Sequence, residues 1–325
     1  MAGWLARKTL AALAILWAVA TLTFFALHSA PGDPFLPGAE RPADPAVAER
    51  LRAQFGLDRP LPEQYLRYLG QLAHGNLGVS FSQRRPVAEA IAATLPNTLL
   101  LGLAALLVDF SLGIALGVVQ AARAGGKTDA TLTGVSLLLA SLPTWWLGLL
   151  LLLVFGEWLH WLPLGGAFDP AIYGSLSPAG RALERLRHLV LPALALGLVG
   201  AATTARFQRA AMMDALREEY VRTARAKGLA ERGVLWRHAL RNALVPAVTL
   251  FGLALPFVLT GAVVVESVFG WPGMGRLAAD AVAARDYPVV IATTLVSALL
   301  VVLGGLAADT LAAVLDPRLR VARAS

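Results

Sequence analysis

The sequence predicts an all-α membrane protein with six transmembrane helices. Of the 325 residues, 57% are hydrophobic and only 15% are charged, whereas about 25% of the residues of an average soluble domain are charged. Six segments are apolar enough to cross a bilayer, and basic residues concentrate in the loops that would face the cytoplasm. Because the sequence has no cysteine, a disulfide framework, a thiolate metal site and a thiol nucleophile are excluded.

The first predicted span covers residues 9–27, an uncharged stretch preceded by Arg7 and Lys8. It is long enough to cross a bilayer. A cleaved signal peptide is the alternative, because small residues follow at 29 and 30, but the apolar core is longer than the roughly 7–15 residues of such signals. We therefore expect an uncleaved helix within residues 1–29, with its N-terminus in the cytoplasm.

A polar region, residues 30–96, follows the first span and contains several prolines and glycines but no further span. A charged helical stretch is expected near residues 46–54. A second helix is indicated by four residues that would share one face, namely Leu61, Tyr65, Tyr68 and Leu72. We predict that the region is extracytoplasmic; its basic residues do not oppose this, because counting of basic residues applies to short loops.

Five more apolar segments complete the six predicted spans. They cover residues 98–119, 132–155, 189–205, 243–265 and 289–307. We group residues 97–315 into one five-helix membrane core, followed by a cytoplasmic tail at residues 316–325. Trp158 and Trp161 follow the third span, where an aromatic belt is expected at the outer membrane surface.

The distribution of basic residues predicts the orientation. Nine lysines and arginines lie between Arg206 and Arg241, whereas the two shorter outer loops, one of them at residues 156–187, together contain five. An excess of basic residues in short loops marks the cytoplasmic side, and an even number of spans places both termini there. The sequence thus predicts a multi-pass protein of the cell (inner or plasma) membrane.

A loop at residues 206–242 is the only long polar passage in the second half of the chain, with nine basic and four acidic residues. Two short helices are predicted here, separated at Gly228, which follows Lys227 as a glycine follows a helix end. The apolar face of the first would consist of Met213, Leu216, Tyr220 and Ala224, and that of the second of Leu229, Trp236 and Leu240. Glu218 and Arg222 would add an ion pair four residues apart.

The passage YVRTARAKGL (residues 220–229), followed by HALRNALVP (residues 238–246), resembles a known motif. It is similar to the cytoplasmic signature of permease subunits of ATP-binding-cassette importers. Its wording resembles the dipeptide, oligopeptide and nickel branch of these inner-membrane permeases, and the B-type subunit within it. The resemblance gives Ala224, Gly228 and Leu240 the places of the motif's Ala, Gly and Leu.

The chain departs from the general form of this motif in three places. Arg222 and Thr223 stand where a Glu and an Ala are usual, and Arg241 stands in place of a Pro. The peptide branch is similar in these departures, so they narrow the resemblance to that branch. The residues that the resemblance assigns to coupling with an ATPase are Tyr220, Arg222, Thr223, Ala224, Ala226, Lys227, Gly228, Leu229, His238, Leu240, Arg241 and Asn242.

Further stretches extend the resemblance over nearly the whole chain. They are PGDP (31–34), GLDRPL (56–61), YLRYLGQ (65–71), GNLGVS (75–80), VFGWPGMGRL (268–277) and RDYP (285–288). The resemblance implies the type I importer permease fold, in which a cytoplasmic coupling helix, here around residues 224–235, enters a groove of an ATPase. Small residues at positions 224 and 228 would then let the two backbones approach closely.

The same resemblance implies partners. A homologous second permease subunit would supply the other half of the transmembrane pathway, two ATPase subunits would dock on the cytoplasmic loop, and an extracytoplasmic solute-binding protein would deliver the substrate. Peptides are the expected cargo, with nickel chelates or other small solutes as the alternative. Neither an enzymatic activity of this chain nor a cofactor is expected.

No catalytic apparatus is visible in the residues themselves. The stretch AGGKT (residues 124–128) ends like a phosphate-binding loop, but an alanine occupies position 121, where the motif needs a glycine. No two of the five histidines have the i, i+4 spacing of a helical metal site, so no metal site is predicted. The net charge of +7 is not spread along a polar surface, and nucleic-acid binding is not expected.

Asp109 lies inside the second predicted span, and acids within a membrane are functional candidates by default. A proton-relay or substrate-amine role stands beside a structural one, in which the carboxyl packs against small residues or a neighbouring helix. Two other classes of protein remain open: a secondary transporter driven by an ion gradient, with Asp109 as its coupling acid, and a membrane scaffold. The first leaves the basic loop motif unexplained, and the second would tolerate loss of the turn at Gly228.

Overall fold

The computed structural model of the protein describes residues 2–29, 49–50, 52–54, 56–259 and 263–315. These residues are mostly helical, and the part of the chain so described has no β-strand, only an isolated bridge between Val79 and Pro86. The all-α fold class is therefore confirmed. The PGDP turn at residues 31–34, part of the helical stretch predicted at 46–54, and the tail at 316–325 lie outside the described residues.

The described residues form a series of helices along the chain. The main ones are α1 (Ala2–Ser29), α2 (Leu61–Ala73), α3 (Val87–Ala122), α4 (Lys127–Ser141), α5 (Thr144–Leu151), α6 (Pro178–Arg217), α7 (Glu219–Ala226), α8 (Leu240–Leu259), α9 (Val263–Val268), α10 (Met274–Ala283) and α11 (Tyr287–Leu315). A wider π-helical segment extends α5 over Leu152–Trp158, and another precedes α8 over Val234–Ala239. Single helical turns occur at Pro170–Tyr173 and Glu231–Gly233.

Among the described residues, four helices (α1, α3, α6 and α11) are long and apolar enough to cross a membrane. The bent pair formed by α4 and α5 raises the number to five if it counts as one span. The span predicted at residues 243–265 corresponds to α8 and the start of α9, and residues 260–262 between them lie outside the described part. The count of six spans therefore stays a prediction.

The third predicted span, residues 132–155, is not one straight helix. Its two halves, Lys127–Ser141 and Thr144–Trp158, meet at an angle of 107°. Leu142 and Pro143 are extended at this point, with ψ angles of 134° and 132°. The bend follows from the proline, because a residue that precedes proline is sterically driven out of the helical conformation.

The fourth predicted span, residues 189–205, is only the middle of a much longer helix. Helix α6 has 40 residues and continues through Pro192. It begins earlier than predicted because Ser177 caps it, accepting a hydrogen bond from the backbone N–H of Gly180 (3.2 Å), and Pro178 occupies the first helical position. The second half of the predicted outer loop, 156–187, is therefore partly helical.

The chain divides into two compact units. Unit 1 comprises residues 1–97 and 273–300, and unit 2 comprises residues 98–272 and 301–325. Helices α3 and α11 each contribute to both units. The division of the chain into an N-terminal helix, a polar region, a membrane core and a tail remains a prediction.

Within unit 1, a buried carboxylate holds two distant stretches of the chain together. Asp286 is fully buried, and its Oδ2 accepts hydrogen bonds from Ser80 Oγ (2.5 Å), Ser82 Oγ (2.7 Å) and the Ser82 backbone N–H (2.9 Å). We call Ser80, Ser82 and Asp286 the serine clasp. It joins the GNLGVS and RDYP stretches, which the sequence analysis treated as separate motifs.

Within unit 2, glycines allow α3 and α6 to pack closely. A Cβ atom added to Gly117 would lie 2.6 Å from Cβ of Gln208 and 2.7 Å from the carbonyl oxygen of Ala205. Gly113, one turn earlier, lies equally close to Thr204. Small residues at this four-residue spacing let transmembrane helices approach, and the contact fixes the end of α6 from which the central loop emerges.

Candidate functional site: the central loop

The central loop, residues 217–242, starts where α6 ends. Glu218 has an extended backbone (φ −68°, ψ 150°), and α7 begins at the next residue. The continuous apolar face that we predicted from Met213 to Ala224 is therefore wrong, because its residues belong to two helices. The predicted side-chain ion pair between Glu218 and Arg222 does not occur among the described contacts; the Arg222 backbone N–H donates instead to the Glu218 carbonyl (3.3 Å).

The loop reverses direction at Gly228. Helix α7 ends at Ala226, and Gly228 has a left-handed backbone with φ of 76°. Its N–H donates to the Arg225 carbonyl at 2.9 Å. A Cβ added to Gly228 would have no neighbour within 4 Å, so the backbone conformation, rather than crowding, calls for glycine here.

An ion pair that the sequence analysis missed bridges this turn. Arg225 Nε and Nη2 donate to Glu231 Oε2 and Oε1 at 3.1 Å and 2.6 Å, a bidentate arrangement. The hydrogen bonds from Arg225 hold the pKa of Glu231 below its ordinary value. The available signal was the placement of opposite charges three residues before and three residues after Gly228.

One side of the loop packs onto unit 2. Val221 and Val234 are fully buried, and Ala224 and Leu240 are 5% and 9% exposed. They join a cluster with Met212 and other apolar residues of α3, α6 and α8. Ala224 therefore packs against the chain's own core. A residue whose small size allowed a partner to approach closely would instead lie on the exposed surface.

The opposite side of the loop carries most of the residues assigned to coupling. His238 is partly buried, and the exposed ones are Tyr220, Arg222, Thr223, Ala226, Lys227, Gly228, Leu229, Arg241 and Asn242. Trp236, which we had placed only on an apolar helix face, is 47% exposed, and Leu229 is 45% exposed. Large apolar side chains are therefore exposed to solvent on a segment that is rich in charged residues.

The exposed bases of the loop are mostly without an acidic partner. Arg225 is paired with Glu231. No ion pair within the described residues involves the other exposed bases, Arg217, Arg222, Lys227, Arg232, Arg237 and Arg241. A surface with this excess of positive charge, interrupted by Tyr220, Leu229 and Trp236, suits a partner that offers acidic groups around an apolar groove.

A second ion pair ties the connection between α3 and α4 to α6. Arg209 donates through Nε and Nη2 to both carboxylate oxygens of Asp129, each at 2.8 Å. Asp129 Oδ2 also accepts from the backbone N–H of Gly125 (3.0 Å). Arg209 is thus occupied inside the chain, although the sequence analysis counted it among the bases of the loop.

Asp109, the predicted intramembrane site, lies in a close helix contact. Its Oδ1 accepts a hydrogen bond from Thr204 Oγ1 at 2.7 Å, and a Cβ at Gly200 would come within 2.3 Å of Oδ2. The carboxyl is thus held between α3 and α6 by a threonine hydroxyl and a glycine. This packing against a neighbouring helix is the structural alternative considered in the sequence analysis.

Glu266 is a buried acid that the sequence analysis assigned to an outer loop. It is fully buried on α9 and accepts a hydrogen bond from Thr98 Oγ1 at 2.8 Å. The surrounding letters ESVFGWPG contain too few apolar residues in a row to indicate burial. Only the return of α9 onto α3 brings Glu266 and Thr98 together.

Comparisons with known proteins identify the family of the chain. Residues 113–321 match the family described as binding-protein-dependent transport system inner membrane component, and residues 1–102 match its N-terminal region. The chain is 41% identical to the oligopeptide transport system permease protein AppB of Bacillus subtilis, with 98% of this chain and 99% of the relative covered.

Two further relatives have similar lengths. The di/tripeptide transport system permease protein DppB of Pseudomonas aeruginosa is 40% identical, with 98% of this chain and 99% of the relative covered. The glutathione transport system permease protein GsiC of Escherichia coli K12 is 39% identical, with the same coverage of both chains.

The chain therefore belongs to the family of binding-protein-dependent transport system inner membrane components. It is a multi-pass permease subunit of an ATP-binding-cassette importer, without catalytic activity of its own. ATP hydrolysis takes place on a separate subunit, and a solute-binding protein belongs to the same system. Membership in this family decides against the gradient-driven carrier and the scaffold.

Proposed function

We propose that this chain forms half of the transmembrane pathway of a peptide importer and that its central loop docks on an ATPase subunit. The observation that carries the docking is the outer side of the loop. There, Tyr220, Leu229 and Trp236 are exposed among unpaired bases, whereas the inner side is anchored in the core. An apolar centre with a charged rim is the usual composition of a protein interface.

The cargo follows from the relatives. Their names specify oligopeptides, di- and tripeptides, and glutathione, and all of these are short peptides. We infer that this importer takes up short peptides rather than nickel chelates or other small solutes.

The orientation of the proposed importer follows from the same loop. Docking on an ATPase requires the central loop to be cytoplasmic, which agrees with its excess of basic residues. With six spans, both termini are then cytoplasmic as well, and residues 30–96 face the solute-binding protein. A homologous second permease subunit completes the pathway. Two ATPase subunits drive transport, and ATP binding can do so only if ATP binds the inward-open and outward-open states with different affinity.

Docking is tested by co-purification with the ATPase subunit of the same importer. Leu229→Ser removes an apolar contact from the outer side of the loop and is expected to weaken binding about tenfold, as loss of roughly 1.4 kcal/mol does. Ile172→Ser is the matched control, since Ile172 is equally exposed at 45% but lies in the predicted outer loop. Equal binding by both variants would exclude the loop as the ATPase contact.

The cargo is tested by uptake into proteoliposomes that contain the complete importer and its binding protein. We expect ATP-dependent accumulation of a labelled dipeptide or tripeptide, and no competition by a nickel chelate. Accumulation of the chelate with no uptake of either peptide would contradict the peptide assignment and leave the docking proposal intact.

A further inference from the structure

Helix α2 packs against α1 inside unit 1. The Thr21 hydroxyl and the Tyr65 hydroxyl are hydrogen-bonded at 2.7 Å. Phe24 is buried, and its ring lies 5.4 Å from that of Tyr65 and 5.5 Å from that of Tyr68, centroid to centroid. Leu72 joins the same cluster. The predicted face of α2 is therefore the face that contacts α1.

This contact occurs at membrane depth. Residues Arg7–Ser29 form a candidate span, and Lys8 marks its charged end. Thr21 is thirteen residues farther along, which corresponds to about 20 Å of helix. The hydrocarbon core is about 30 Å thick, so the hydroxyls of Thr21 and Tyr65 meet within it, in the half away from Lys8. A helix that reaches this part of α1 cannot stand clear of the bilayer.

The apolar face of α2 is wider than its contact with α1. Leu66 is 68% exposed and Leu61 is 39% exposed. On α1, Leu22 is 71% exposed and Phe25 is 41% exposed, as lipid-facing residues of a span would be. Phe25 also lies 5.3 Å from the Tyr65 ring. The exposed apolar side of α1 therefore reaches α2 at Tyr65, the residue next to Leu66.

Charge is confined to another side of α2. Glu63 Oε1 accepts from Arg59 at 2.5 Å and lies 3.1 Å from Arg67 Nη2. At 100° per residue, Glu63 and Arg67 lie about 60° and 100° around the helix from Leu66. One positive charge is in excess in this group, which suits the phosphates of lipid headgroups.

We propose that α2 is an interfacial helix, lying in the leaflet away from Lys8 with Leu66 in the acyl region and Arg67 at the headgroups. Its occupant is lipid, because the lipid-facing side of α1 reaches α2 next to the exposed Leu66. The helix then anchors the polar region between the first two spans in the membrane surface. This inference does not depend on the ATPase or on the cargo.

The absence of cysteine from the sequence permits a direct test with single-cysteine variants of the full chain. Leu66→Cys and the adjacent Arg67→Cys are spin-labelled and reconstituted in vesicles of phosphatidylcholine and phosphatidylglycerol. Leu22→Cys on α1 is the reference for a lipid-facing site. Collisions with oxygen, which dissolves in lipid, are compared with collisions with a water-soluble nickel chelate.

We expect the label at position 66 to collide mainly with oxygen, as the label at position 22 does, and the label at position 67 to collide more with the chelate. Equal, chelate-dominated accessibility at 66 and 67 would overturn the proposal. Accessibility at 66 that falls only when the solute-binding protein is added would also overturn it, since the occupant would then be a protein. Helical content measured by circular dichroism confirms that each variant is folded.

Discussion

The serine clasp and the central loop lie in stretches that resemble the same permease family, yet they use their polar residues in opposite ways. In the clasp, Asp286 and Ser80 are both fully buried, and the carboxylate accepts three hydrogen bonds from the chain. In the loop, Arg222 and Lys227 are exposed and have no acidic partner among the described residues. In the clasp, Asp286 Oδ2 finds its donors within the chain, whereas the loop bases remain available to a partner.

This difference distinguishes two roles of polar residues, stabilising the fold and binding a partner. A buried carboxyl group that accepts a hydrogen bond from a buried hydroxyl, as Asp286 does from Ser80, contributes to stability, because removing it leaves that donor without an acceptor. An exposed base contributes little to stability but changes the potential that a partner meets. Substitutions in the clasp should therefore affect folding and leave docking unchanged, and substitutions of the loop bases should do the reverse.

The largest expected effect comes from the clasp. Asp286→Ala removes the acceptor of the Ser80 hydroxyl and of the Ser82 backbone N–H, and we expect destabilisation of about 3 kcal/mol, since each buried donor left without an acceptor costs roughly 1–3 kcal/mol. The thermal midpoint in detergent, followed by tryptophan fluorescence, should fall by roughly 10 °C.

Asp280→Ala is the matched control for this experiment. Asp280 is on the neighbouring helix α10, its side chain is 69% exposed, and it lies 3.8 Å from Arg276. Removing this exposed carboxylate should cost no more than about 1 kcal/mol of stability, so the thermal midpoint should change little. A midpoint for Asp286→Ala that equals that of the control would show that the clasp is not a stabilising contact.

Charge reversal in the loop is expected to act on binding alone. The double variant Arg222→Glu, Lys227→Glu should weaken ATPase binding about tenfold to hundredfold, or roughly 1.4–2.8 kcal/mol. The loss should shrink in high salt, because exposed charges are screened. The affinity of each variant for the immobilised ATPase is measured at two salt concentrations.

The control reverses two exposed bases near the start of α6, Arg185→Glu and Arg187→Glu, which we place on the other side of the membrane. It should bind the ATPase as the unaltered chain does. If the thermal midpoint of the loop variant fell as far as that of Asp286→Ala, the division between clasp and loop would be lost.

Features that depend on local chemistry were predictable from the sequence. The break at Gly228 follows from a glycine after a basic helix end, and the apolar spans follow from length and hydropathy. The bend at Pro143 could have been predicted by the same kind of rule, since proline restricts the residue before it. The sequence analysis treated residues 132–155 as a single span.

Features that depend on distant contacts were not predictable. Ser80 and Asp286 are 206 residues apart, and nothing local indicates that one accepts a hydrogen bond from the other. The burial of Ala224 likewise depends on the packing of α7 onto α3, α6 and α8. The motif resemblance singled out the loop as a candidate site, but it could not tell the inner side of the loop from its outer side.

Substitution of Gly228 at the loop turn is expected to have a smaller effect than the charge reversal of the loop bases. Gly228→Val places a β-branched residue at a φ of 76°, which costs roughly 1–2 kcal/mol, whereas Gly228→Asn should cost less because asparagine tolerates this conformation. Gly233→Val is the control, because Gly233 is equally uncrowded but has a φ of −67°. The thermal midpoint should be higher for Gly228→Asn than for Gly228→Val and nearly unchanged for Gly233→Val. That order would show that the backbone φ at residue 228 causes the destabilisation.

The ion pair across this turn should have the smallest effect. Arg225 and Glu231 have side chains that are 43% and 56% exposed, so solvent screens them and a double-mutant cycle should give only about 0.2–1 kcal/mol of coupling. Because Arg225 lowers the pKa of Glu231, the coupling should be complete above the ordinary value of 4.5 and disappear as pH falls through the lowered one. A cycle of Arg225→Ala with Glu219→Ala, for which no ion pair is present, is the control and should give no coupling. Zero coupling for Arg225 and Glu231 at pH 7 would mean that the backbone of Gly228 alone sets the turn, and the charges of the loop would then all be free to serve its partner.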